Sequence, residues 1–313
     1  MIVNVRQRSR LHHGAIGSLI LIFSILFTAC SVSAPSQVSP NQSSNPAAPQ
    51  GTIRIGLVDW AEAIVVSNLW KVILEREGYQ VELKELDVAP LYKGLAQGDL
   101  DLFLDAWLPG FHRNYWEKLG NQLEDLGSWY EGKAYTGLAV PSYMKEVNAI
   151  ADLEKHKEAF KGEIVGIDAG ASVMRLVEEK VIPAYGLSYK LISSSEAAML
   201  SKVRKAYQMQ EPIVFLGWNP HWMFTEWDLK YLEDPKKVIP EGEEIRILAH
   251  KDFSEQYPEV ADALKRFKLS DAELGEMENE IFNKGNDELA VVRRWVEENQ
   301  ALVDQWLGKQ NSK

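Results

Sequence analysis

The chain has 313 residues, 46% of them hydrophobic and 10% aromatic, with a formal net charge of −11. That content supports one large or two moderate cores and excludes a disordered chain. The acidic balance argues against nucleic acid as a partner, and a lone cysteine, Cys30, excludes a disulfide framework or a cysteine-ligated zinc site.

Residues 1–29 have the shape of a signal peptide: Arg6, Arg8 and Arg10 precede an apolar run from Ala15 to Ala29. A membrane span needs roughly 20 apolar residues, and this run is shorter. It ends Leu26-Phe27-Thr28-Ala29-Cys30, which resembles a bacterial lipobox, with Phe27 departing from the usual aliphatic residue. Cys30 is then expected to be the lipidated N-terminus that anchors the chain to a membrane. Loss of the leader's three arginines leaves a side-chain balance of −14. Residues 30–50 carry no charge and almost no bulky side chain, so they read as a flexible tether of roughly 25 Å root-mean-square span.

From Thr52 onward short apolar runs alternate with helical segments, the pattern of an α/β fold. Strands are predicted at 52–58, 80–86, 100–104, 134–140, 163–167, 212–216 and 244–249. Helices are predicted at 62–77, 90–97, 153–160, 172–184 and 196–207. A capping box, Ser270-x-x-Glu273, opens a helical C-terminal part whose last helix spans 287–306. The run 135–140 is followed by a polar helical stretch before a new βα series begins, and 245–249 leads into the C-terminal helices. These crossings divide the chain into a discontinuous first lobe, 51–139 with 247–313, and an inserted second lobe, 140–246.

Of ten tryptophans, three lie just beyond a predicted strand and before a helix or turn: Trp60, Trp107 and Trp218. In open α/β sheets ligands bind outside the carboxyl ends of strands, so a closing cleft would bring these indoles around one object. A trimethylammonium group fits that demand, because it has no N–H to donate and is attracted to indole π-faces. Stacking on a sugar ring and burial in separate cores remain open alternatives on placement alone.

A zwitterion also needs a site for its negative end. The small-residue segment Gly166 to Val173 joins a strand to a helix and would expose the backbone N–H groups of Ser172 and Val173. His112, five residues after Trp107, is a further candidate donor to the same carboxylate.

Together, Val58-Asp59-Trp60, Asp105-Ala106-Trp107-Leu108-Pro109 with His112, and Gly217-Trp218-Asn219-Pro220-His221-Trp222-Met223-Phe224 resemble the glycine-betaine-binding lipoproteins of ABC importers. The likeness runs through Leu229 to Pro235 and covers residues 51–306. It implies a two-lobed, type II periplasmic-binding-protein fold that closes like a hinge. It further implies an aromatic prism of Trp60, Trp107 and Trp218, a histidine contact at His112, and amides at Ser172 and Val173 holding a carboxylate. The implied partners are a small quaternary-ammonium ligand and the transmembrane subunits of an ABC permease, with the chain a monomer and no cofactor. Asn219 stands where threonine is often seen, and Ser172 with Val173 replaces a glycine-containing pair.

An enzyme is the main rival class. The chain has no G-x-S-x-G, H-E-x-x-H or G-x-x-x-x-G-K-[ST] motif, and Ser193-Ser194-Ser195 reads as a turn and helix cap. Asp59 and Asp105 in an aromatic cleft would suit a glycoside hydrolase, yet they equally cap turns. His112, His156, His221 and His250 lack metal-ligand spacing.

Overall fold

The computed structural model describes residues 50–309. The expected signal peptide, the lipidation site at Cys30 and nearly all of the tether lie outside the described residues.

The first half of the chain runs β1 (Thr52–Leu57), α1 (Ala61–Arg76), β2 (Gln80–Glu85), α2 (Val88–Gln97), β3 (Leu102–Leu108), α3 (Arg113–Leu119), β4 (Leu123–Ser128) and β5 (Tyr135–Pro141). Next come β6 (Glu163–Val165), α4 (Ser172–Leu176), α5 (Ile182–Tyr185), β7 (Lys190–Ile192), α6 (Glu196–Met209), β8 (Phe215–Asn219), α7 (Met223–Glu226), β9 (Leu229–Tyr231) and β10 (Glu244–His250). The chain finishes with α8 (Phe253–Gln256), α9 (Pro258–Arg266), α10 (Asp271–Glu278), α11 (Glu288–Glu298) and α12 (Gln300–Leu307).

These strands form two five-stranded sheets, ordered β2-β1-β3-β10-β4 and β7-β6-β8-β5-β9. The two share one plan. In each, a parallel βαβαβ run (β1, β2, β3 or β6, β7, β8) is extended by antiparallel strands from elsewhere in the chain. The order reverses beside β1 in one sheet and beside β6 in the other, which makes the carboxyl ends of those strands topological switch points. Lobe boundaries at 139/140 and 246/247 would cut through β5 and β10, which stay whole within a single sheet. The crossings instead lie between β4 and β5 and between β9 and β10.

Apolar side chains fill the space between sheets and helices: Ile53, Ile55, Leu102 and Phe103 in the first sheet and Ile164, Phe215 and Leu216 in the second are inaccessible to solvent. Helix α1 is buried along most of its length, from Ala61 to Leu74, consistent with its run of apolar residues. Residues buried on both faces of a parallel sheet read as continuous hydrophobic runs, which is why these strands were visible in the sequence.

Several expected elements differ. Strands β3 and β8 run past 104 and 216 to Leu108 and Asn219, because antiparallel neighbours carry the ladder on: Ile245 pairs with Trp107 and Thr136 with Trp218. Trp107 and Trp218 therefore sit inside strands rather than beyond them. The expected helix at 153–160 is a 3-10 segment, Ile150–His156, followed by turns; it buries Ile150 and Leu153 and has no apolar stripe to hold an α-helix. The expected helix at 172–184 widens into a π turn, Val177–Val181, just before Pro183, whose missing N–H cannot close the regular ladder. The last helix breaks at Asn299, whose side-chain amide donates to Trp295 O at 2.9 Å. The capping box forms as expected, with Glu273 N–H donating to Ser270 Oγ and Ser270 N–H to Glu273 Oε2 at 2.8 Å.

Candidate functional site

Equivalent strands of the two sheets supply the site. The β1–α1 turn carries Trp60 and the β6–α4 turn carries Ser172 and Val173, while β3 carries Trp107 and its counterpart β8 carries Trp218. All of these residues line one cavity with His112, and its empty space is about 360 Å³ with the mouth included. The structure thus brings together Trp60, Trp107, Trp218, His112, Ser172 and Val173. Phe111, Thr136, Ile167, Ala171 and Glu62 complete the wall. The three indoles are nearly buried, at 8%, 4% and 4% exposure, yet they face one shared space rather than separate interiors.

Each indole is fixed by its edge. Trp60 Nε1–H donates to Asp168 Oδ2 at 3.1 Å, Trp107 Nε1–H to Asp105 Oδ1 at 3.1 Å, and Trp218 Nε1–H to Glu62 Oε2 at 3.0 Å. The N–H edges are thereby consumed, so the indoles offer the cavity carbon and π surface rather than hydrogen-bond donors. Two of the three bonds join elements that belong to different sheets.

His112 sits at the N-cap of α3, where its Nδ1 accepts the backbone N–H of Trp107 at 3.2 Å. That bond assigns the neutral ring's proton to Nε2, which has no protein partner among the described residues. Burial lowers the His112 pKa to about 3, so the ring is a neutral donor at physiological pH. In the same cavity, Ser172 and Val173 are the first two residues of α4, and Ala171 before them offers no side-chain cap. The N–H groups of a helix's first turn lack intrahelical acceptors. Ser172 Oγ is also buried without a partner.

Glu62, like Phe111 and Thr136, is a lining residue that sequence reasoning missed. It reads as an ordinary acidic residue in a first helical turn, and nothing local to it signals that a second sheet will cover it. Its carboxyl is fully buried, Oε1 has no partner, and burial with the nearby Glu196 raises its pKa to about 7. Behind the cavity, burial also pushes Asp105 and Glu278 well above the usual carboxylate range and Glu196 to about 8. His221 is lowered to about 4 by the same loss of solvent. Among the described residues no group of His, Cys, Asp and Glu side chains is arranged to hold a metal ion.

The cavity is therefore lined by three indoles together with His112 and the first two residues of a helix. Residues 51–298 match the family described as the substrate binding domain of ABC-type glycine betaine transport systems. The chain belongs to that family. Among relatives of this substrate-binding domain, the Listeria monocytogenes glycine betaine/carnitine transport binding protein GbuC is 38% identical over 146 residues. The match covers 46% of this chain and 48% of that protein, about half its length. Lactococcal OpuAC, solved closed with glycine betaine, superimposes with a TM-score of 0.76 at 31% identity, covering 82% of this chain and 99% of that one. An ABC-transporter choline binding protein, solved with choline, gives 0.76 at 26% identity over 84% of this chain and 93% of the other. The substrate-binding domain described here has the two-lobed periplasmic-binding-protein fold of these neighbours, one sheet to a lobe.

Proposed function

We propose that this chain is the ligand-capturing component of an ABC importer, that it closes on glycine betaine or a closely related quaternary-ammonium osmolyte, and that it delivers this ligand to the permease. The observation that carries the reading is the convergence of Trp60, Trp107 and Trp218, from both lobes, on one cavity. A trimethylammonium head offers no proton, so three π-faces recognise it where ordinary acceptors do not. Each desolvated face contributes on the order of 0.5–2 kcal/mol, and with a fixed carboxylate contact the sum approaches the roughly −8 kcal/mol of micromolar binding.

In this reading the carboxylate of the ligand takes the Ser172 and Val173 N–H groups and the His112 Nε2–H. The same box accepts choline, carnitine or proline betaine with a different tail. A sugar is disfavoured, since Glu62, His112, Thr136 and Ser172 are the polar side chains lining the cavity and a ring of hydroxyls needs more partners. The reading requires no catalytic step and no cofactor.

The acylated Cys30 would hold the protein on the extracytoplasmic face of a membrane, with residues 30–50 as the tether of a monomer working beside the permease. Calorimetric titration against glycine betaine, proline betaine, carnitine, choline and a neutral hexose tests the ligand class. Binding of the hexose with no response to any methylated ammonium compound would overturn it. A Cys30→Ser chain that still partitions with membranes would overturn the anchor.

A further inference from the structure

Helix α1 starts at the ligand cavity without a cap of its own. Its N-cap is Trp60, whose indole lines the cavity and provides no side-chain hydrogen bond to the helix. The N–H of Ala61, the first helical residue, is met from the other lobe instead: it donates to Glu196 Oε2 at 3.2 Å. Glu196 is itself the first residue of α6, whose own cap is Ser195 Oγ accepting from Ala198 N–H at 3.2 Å.

The other carboxyl oxygen of Glu196 is equally engaged. His221 Nδ1 accepts the Met223 N–H at 3.0 Å, which leaves its proton on Nε2, 3.0 Å from Glu196 Oε1. The His221 ring lies edge-on to Trp218, centroids 4.7 Å apart. Glu62, Asp105 and Glu278, the neighbouring buried acids, each keep an oxygen with no partner, whereas Glu196 keeps none. Neither Glu196 nor His221 lines the tryptophan cavity. They connect Trp60's helix to Trp218's ring from behind.

We propose that Glu196 is a positioning residue for the closed clamp: by capping α1 across the lobe boundary it holds Trp60 and Trp218 in register, and it sets how long any ligand stays without touching it. This inference rests on the ligand-capturing reading above and deepens it. Separation of the lobes would return Ala61 N–H and Glu196 to water, so the capping bond belongs to the closed state.

The test is a double-mutant cycle between Glu196→Ala, which deletes the acceptor, and Ala61→Pro, which deletes the donor. Proline suits the first helical position, and the extended backbone of Trp60 (φ −123°, ψ 146°) tolerates it as a successor. Dissociation of glycine betaine and of choline is followed by stopped-flow tryptophan fluorescence. Ala61→Pro is expected to speed release of both ligands by about tenfold and Glu196→Ala by at least that factor, since it also frees His221, with association unchanged and the double variant no faster than Glu196→Ala alone. Factors that multiply to about a hundredfold in the double variant, or an effect on one ligand alone, overturn the clasp. Should Glu196→Ala fail to fold, Ala61→Pro still decides, because an unaltered release rate overturns it too. If the unsubstituted protein binds neither ligand, the functional reading fails instead. The same cycle read by thermal unfolding then judges the clasp: coupling supports it and additivity overturns it.

Discussion

Trp218 and Glu62 face each other across the lobe boundary: the indole N–H of a strand in the second lobe donates to a carboxyl oxygen in the first turn of α1, 3.0 Å away. Trp60 and Asp168 make the reciprocal contact, 3.1 Å, from the first lobe to the second. Each lobe thus orients an indole of the other, so the aromatic box is complete when the lobes are together. On the proposed reading, cage assembly and closure are one event, and the affinity for the ligand includes the free energy of closing.

The aromatic faces carry the first expectation. Replacing Trp60, Trp107 or Trp218 with Ala removes a π-face and is expected to weaken glycine betaine binding about tenfold or more in each case. Isothermal titration measures this, and unchanged affinity in all three variants would remove the cage.

His112 separates the two ends of the ligand. With its proton fixed on Nε2 by the Trp107 amide, it is a neutral donor, which in the proposed reading serves the carboxylate rather than the cation. His112→Ala is expected to cost glycine betaine at least about tenfold more affinity than choline, which lacks a carboxylate, since a lost hydrogen bond to a charged group costs about 1.5–3 kcal/mol. Equal losses for the two ligands would mean that the ring only packs against Tyr92 and Phe103.

Glu62 gives the protein a pH dependence whose direction can be worked out. Its folded pKa, about 7, lies above the ordinary carboxyl value of 4.5, so the folded state holds a proton that the unfolded chain has released. Its contribution to stability is complete below pH 4.5 and is lost as pH rises through 7. The groups facing it are Glu196, Asp105, Glu278 and His221. The buried histidines act oppositely: with pKa values of about 3 and 4 against 6.5, they favour folding more as pH climbs to 6.5 and are silent above it. Between pH 6.5 and 8 the carboxyls alone remain, and stability is expected to fall, with Glu62 contributing on the order of 1 kcal/mol. Thermal unfolding across that window should show the decline, and Glu62→Gln should flatten it; an identical slope in the variant would assign the effect elsewhere.

The site was legible in the sequence to the extent that its chemistry is local. A tryptophan following an apolar run announces itself, and so does a small-residue turn leading into a helix, which is why Trp60, Ser172 and Val173 are readable in the sequence as cavity-lining candidates. The positions of Trp107 and Trp218 were misjudged because the ends of β3 and β8 are decided by partners β10 and β5, whose pairing no local pattern encodes. Short strands such as β7 and β9, three residues each, were missed for the same reason: they exist by pairing, not by propensity. Glu62 and Glu196 were invisible as buried groups, since each carries the composition of an ordinary helix first turn and is covered by the opposite lobe.

Trp129 tests whether aromatic content alone makes a binding residue. It is fully buried in the first lobe, stacked on Phe267 with centroids 5.6 Å apart, and its Nε1–H donates to Leu104 O at 2.6 Å. It lies away from the cavity, behind the strand that presents Trp107. Trp129→Phe keeps most of the packing but strands the Leu104 carbonyl, and is expected to destabilise the fold by about 1–3 kcal/mol. Trp129→Ala opens a cavity at the same place and is expected to cost about 3–5 kcal/mol. Chemical denaturation measures both. At temperatures where the variants remain folded, glycine betaine affinity should change less than twofold, because no cage contact is removed. A tenfold loss of affinity in a folded Trp129→Phe protein would show that the core beneath β3, and not the three indoles alone, sets the shape of the site.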